Sequence, residues 1–213
     1  MGCAVANNEE HQSVLILGIG NLLWADEGFG VRAVEALNRR FAFPEHVTVM
    51  DGGTQGLYLV PYVSDAHYLL VFDAIDFGLP PGSLKLLRNA EVPQFMGAKK
   101  MSLHQTGFQD VLASAQLLGH APEEIVLIGV QPEELEDYGG SLRDSVLARM
   151  DEAIELALVE LQRWGVPWQE QLADGRALND RALEMARYEG ERPAADAACR
   201  IGDARVLVDA VES

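Results

Sequence analysis

Four short, almost unbroken apolar runs punctuate the first 130 positions: VLIL (14–17), VTVM (47–50), YLLVF (68–72) and IVLIGV (125–130). Runs this short, rich in Val, Ile and Leu, predict strands covered on both faces, as in a parallel sheet. SLKLL (83–87) is a fifth, weaker candidate. Between the runs the apolar positions recur at steps of three or four. Val31, Val34, Leu37 and Phe41 follow the first strand, and Phe108, Val111, Leu112, Ala115 and Leu118 precede the fourth. The longest such series, Leu142, Val146, Met150, Ile154, Ala157, Leu161 and Trp164, predicts one helix from Ser141 to Trp164 that closes the core. In residues 54–64, Pro61 either starts or bends a helix. Alternation of strand and helix predicts an α/β three-layer sandwich, a mostly parallel twisted sheet covered by helices on both faces with right-handed crossovers.

The composition changes after Trp168. Residues 169–213 are rich in alanine, acids and arginine with little periodicity, so the expected organisation is a flexible N-terminus (1–12), an α/β domain (13–168) and an acidic, alanine-rich extension (169–213), partly helical or disordered. The net charge of −17 disfavours a nucleic-acid partner, whose affinity would come from Lys and Arg. Two cysteines, Cys3 and Cys199, form no C-x-x-C pair and indicate neither a disulfide framework nor a thiolate zinc site. MGCAVANNEEHQS has no apolar signal region, and no apolar run reaches membrane-spanning length, so a cytoplasmic protein with no membrane partner is expected.

GIGNLLWADEGFG (18–30), directly after the first strand, has the look of a nucleotide-binding loop. The dinucleotide fingerprint fails, because Leu23 stands where its third glycine belongs. The phosphate loop fails for want of a Lys, and Asp26 and Glu27 would repel a phosphate. Gly18 and Gly20 suit a tight turn, while Gly28 and Gly30 suit the close approach of a bulky partner.

In an open α/β sheet, ligands bind beyond the carboxyl ends of the strands. Acids collect there: Asp26 and Glu27 after the first strand, Asp51 after the second, and Asp73 and Asp76 after the third, with Gln131 after the fourth. His104, in KKMSLHQTGF, precedes a helical pattern. Two carboxylates and an imidazole suit Ni, Zn or Fe better than Ca. Each residue also has a plainer use: Asp26 as a helix N-cap, Asp51 as a turn residue before Gly52 and Gly53, His104 as a hydrogen-bonded structural group. Position alone leaves both readings open. No H-E-x-x-H helix or G-x-S-x-G elbow is present.

Five ordered motifs, LGIGNLLWADEGFGVRAVEAL, DGGTQGLYLVPYV, VFDAIDFG, SLHQTGFQDVLA and IGVQPEELE, resemble the maturation endopeptidases of nickel-iron hydrogenases over about residues 13–165. The resemblance implies a hydrolase, metal-dependent or aspartic in type, that removes the C-terminal extension of the nickel-loaded hydrogenase large-subunit precursor. It implies metal contacts from Glu27, Asp73 and His104 and a nickel supplied by the substrate, the site accepting other divalent metals. The chain would act as a monomer. The water-activating group is not assigned by the resemblance; Asp51 and Asp73 are the candidates, and no D-[TS]-G pair marks a two-aspartate dyad. The alternative use of the same ligands is a non-proteolytic, nickel-sensing assembly chaperone.

Overall fold

The computed structural model describes residues 12–96, 103–171, 178, 179 and 187. All five predicted strands form: β1 (Val14–Ile19), β3 (Val47–Gly53), β4 (Tyr68–Ala74), β5 (Leu84–Arg88) and β6 (Glu124–Val130). They make one sheet in the order β3-β1-β4-β6-β5, parallel except for β5, which runs antiparallel to β6. A short β2 (Phe41–Ala42) pairs antiparallel with β7 (Gln169–Glu170). The helices are α1 (Phe29–Arg40), α2 (Val60–Ser64), α3 (Glu91–Met96), α4 (Leu103–Leu117), α5 (Asp144–Leu147) and α6 (Met150–Arg163). Pro61 starts α2 rather than bending it. Among the described residues no helix is long and apolar enough to cross a membrane.

The helix predicted as one from Ser141 to Trp164 is two. The chain turns at Ala148 and Arg149, where the Arg149 N–H bonds the Val146 carbonyl, three residues back, at 3.0 Å. Val146 and Met150, on either side of the turn, are both buried, so the apolar period runs on across a break in the backbone.

Strand pleat sorts the core into two halves. Val14, Ile16, Leu70, Phe72, Val126 and Ile128 pack with α1 and α6, whereas Leu15, Leu17, Leu69, Val71 and Leu127 pack with Leu59, Val63 and the α4 residues Phe108, Val111 and Ala115. Helices therefore cover both faces of the sheet. The chain leaves β1 for α1 on one face and leaves β4 toward α4 on the other, which makes the β1–β4 boundary the topological switch point.

Gly18 and Gly30 bring α1 onto the sheet. A Cβ at Gly30 would stand 2.2 Å from the carbonyl oxygens of both Ile19 and Phe72, and one at Gly18 would stand 2.3 Å from the Gly30 oxygen. Gly30 thus admits the protein's own strands rather than the bulky partner anticipated from the sequence, and at Gly28 too the nearest neighbour is internal, Leu22.

Candidate functional site

The loop leaving β1 is built to present one acid and bury its neighbour. At Gly20, φ is +136° and a Cβ would lie 1.8 Å from the Glu27 carbonyl oxygen, so this position requires glycine. Asn21 Oδ1 accepts the Leu23 N–H at 3.0 Å, and the Trp24 carbonyl accepts the Glu27 N–H at 2.8 Å, winding the chain into the 3-10 turn Ala25–Gly28. Asp26 caps neither that turn nor α1. Fully buried, it reaches across to a loop more than a hundred residues later: Oδ2 accepts the N–H groups of Glu133 (2.8 Å) and Glu134 (2.9 Å), and Oδ1 that of Arg143 (2.7 Å). Trp24 pairs with Tyr138 in the same distant loop, with ring centroids 5.2 Å apart. Glu27 is left half-buried at the carboxyl end of β1.

Asp73 ends β4 on the other side of the switch point. It is fully buried, and pleat parity with Val71 and Ile75 turns it toward the α4 face. His104 is the second residue of α4; its side chain lies outside the described residues. The start of this helix is held near the turn Gly56–Leu59, where a Cβ on Gly107 would lie 3.6 Å from the Gly56 Cα. Among the described residues, no three His, Cys, Asp or Glu side chains gather as a ligand set.

Asp51 is turned the other way. It registers with Gly18 of β1, which in turn registers with Phe72 of β4, so Asp51 shares the α1 face with Phe72 and not the face of Asp73. Burial pushes its carboxyl above the usual aspartate range, against the opposing pull of hydrogen bonds from Asn179 and the Gly53 N–H. Glu35 of α1 raises it further and Arg32 lowers it. Asp51 and Asp73 are thus no dyad.

Two other polar groups shape the edge. Asp76 is a turn residue, accepting the Gly78 N–H at 2.8 Å. Gln131 Oε1 accepts the N–H groups of Phe77 (2.7 Å) and Leu79 (3.1 Å), pinning the loop that follows β4. Sequence reasoning missed the staple made by Asp26 and the buried pair of Arg32 and Glu35, 2.9 Å apart. A charged pair three residues apart inside the apolar run of α1 was the available signal. The strand-end loops also expose apolar groups: Leu23, Leu57, Tyr58, Leu79 and Tyr138, with Tyr58 82% exposed.

A family model described as hydrogenase maturation protease matches residues 31–160. The chain is 58% identical over 195 residues to the hydrogenase expression/formation protein HupM of Azotobacter chroococcum mcd 1, covering 92% of this chain and 93% of that one. It is 40% identical over 154 residues to the hydrogenase 2 maturation protease of Escherichia coli K12, covering 72% of this chain and 93% of that one. In structure it is similar to the E. coli hydrogenase maturating endopeptidase HybD, with a TM-score of 0.71 at 38% identity, covering 75% of this chain and 98% of HybD.

Proposed function

Since the chain belongs to the hydrogenase maturation protease family, and is thereby a hydrolase acting on a hydrogenase precursor, we propose that it cuts the C-terminal extension from a nickel-iron hydrogenase large subunit after nickel insertion. On this reading Glu27, Asp73 and His104 contact the nickel carried by the precursor, which makes the metal part of the substrate. The supporting observation is that Glu27 and Asp73 flank the β1–β4 switch point, with the first turn of α4, which carries His104, on the face toward which Asp73 turns. Two carboxylates and an imidazole suit a divalent transition metal and leave positions for ligands that the precursor brings. Asp73 faces that side and serves as metal contact and as the group that places the attacking water. Asp51, turned toward α1, is scaffold. Exposed Leu23, Leu57, Tyr58 and Tyr138 on neighbouring loops suit a protein substrate rather than a small molecule.

The test is incubation of the purified protein with nickel-loaded and nickel-free large-subunit precursor, followed by intact-mass spectrometry. Loss of a C-terminal peptide from the loaded precursor alone is expected, and Glu27→Gln, Asp73→Asn and His104→Ala should each stop it. Equal cleavage of both precursors overturns nickel recognition. Binding without cleavage overturns the protease reading in favour of an assembly chaperone.

A further inference from the structure

The extension beyond Trp168 returns to the domain at described points. The Gln171 N–H bonds the Arg40 carbonyl at the end of α1 at 2.8 Å. Leu178 packs against the core half on the α1 side, and Asn179 beside it donates Nδ2 to Glu35 Oε1 at 2.8 Å and hydrogen-bonds the Asp51 carboxylate. Asp51 Oδ1 is buried and accepts no hydrogen bond among the described residues. Glu35 is only 8% exposed, and its second oxygen takes Arg32 Nη1 at 2.9 Å.

Two carboxylates from different elements, Glu35 of α1 and Asp51 of β3, thus share one guanidinium in a poorly solvated place. Burial pushes the Asp51 carboxyl up, and repulsion from Glu35 adds to it. A carboxamide is uncharged and carries two N–H donors, so it can serve both acids without adding charge. A third acid there would repel both, and an alkyl group would withdraw from each the donor that Asn179 supplies.

We propose that Asn179 is a latch, holding the chain at residues 178 and 179 to the domain by bridging Glu35 and Asp51. The latch fixes Leu178 and Asn179 on the α1 side of the sheet, opposite the face toward which Asp73 turns. The alignment with HupM, 195 residues long, leaves too few positions outside it to omit the extension, whereas three-quarters of this chain already accounts for nearly all of HybD.

The experiment does not depend on the proteolytic reading, because an added protease reports it. Arg176 and Arg181 flank Asn179 in sequence and are trypsin sites. Native-state tryptic cleavage after these arginines is followed at pH 7.5 in the full chain for the wild type, Asn179→Ala, Asp51→Asn and the double variant, with circular dichroism checking that the domain stays folded. Asn179→Ala is expected to speed cleavage about tenfold, because cleavage tracks how often residues 178 and 179 leave the domain. In the Asp51→Asn background the same change should cost clearly less, since one of the bridged charges has gone. Leu178→Ala, which removes packing alone, should act equally in both backgrounds. If Asn179→Ala unfolds the domain, Asn179→Ser, which keeps one donor, runs the same cycle. Cleavage at the wild-type rate, or the same factor in both backgrounds, overturns the latch.

Discussion

Asp26 and Glu27 are adjacent acids in one 3-10 turn, and the fold buries the first while leaving the second half-buried. Replacing Asp26 by Ala removes three hydrogen bonds of 2.7–2.9 Å to backbone N–H groups of Glu133, Glu134 and Arg143. Asp26 is fully buried, so solvent screening does not discount these bonds. A hydrogen bond to a charged acceptor is worth about 1.5–3 kcal/mol, and allowing for partial resolvation of the freed N–H groups the expected loss is about 4 kcal/mol. In a protein of this size that lowers the melting temperature by roughly 10 °C. Asp26→Asn, which keeps one acceptor oxygen but sets an NH2 group against an N–H, should lose about 2 kcal/mol. The assay is urea unfolding followed by tryptophan fluorescence, with Trp24 in the same loop as a local reporter. Glu27→Gln, at a half-buried position outside this staple, should stay within about 0.5 kcal/mol of wild type while abolishing precursor processing. An Asp26→Ala loss below about 1 kcal/mol would refute the staple.

Three further outcomes follow from the same structure. Gly30→Ala puts a methyl group 2.2 Å from two strand carbonyls that cannot retreat, and should cost about 3 kcal/mol in thermal unfolding, whereas Gly107→Ala, inside α4 with its nearest contact at 3.6 Å, should be neutral or stabilising by up to about 1 kcal/mol. Glu160, buried on α6, has its carboxyl raised by burial but brought below the usual glutamate value of 4.5 by hydrogen bonds from Arg88 and Arg163. Its stabilisation is therefore present above pH 4.5 and lost as pH falls through the lowered value, so Glu160→Gln should cost about 2 kcal/mol at pH 7 and progressively less in urea titrations below pH 4.5. Tyr58→Asp should leave the melting temperature unchanged and lower kcat/KM for precursor processing about tenfold through KM, as expected if the exposed ring packs on a protein partner.

The strands were legible because a strand buried on both faces must be apolar along its length, a local property that VLIL, YLLVF and IVLIGV carry in full. Helix α1 was legible from the spacing of Val31, Val34 and Leu37, although the fold buries every residue from Phe29 to Glu35, the charged Arg32 and Glu35 included. The break between α5 and α6 was not, because Val146 and Met150 keep the apolar period while the backbone between them turns. That the loop matches neither nucleotide fingerprint is a property of the sequence alone, resting on the missing third glycine, the missing Lys and the two acids.

What each acid does was decided by the tertiary structure. Asp26 and Glu27 look alike in sequence, and only the arrival of the Glu133–Arg143 loop makes one a staple and leaves the other at the strand end. Asp51 and Asp73 both follow apolar strands, yet register and pleat turn them to opposite faces, because the two-residue period of a strand makes facing depend on pairing with β1. Asn179 lies 144 residues from the Glu35 it serves. Local composition determined which segments bury themselves. Which polar groups meet was set by packing across the whole chain, where the partners of one side chain lie too far apart in sequence for any local pattern to record.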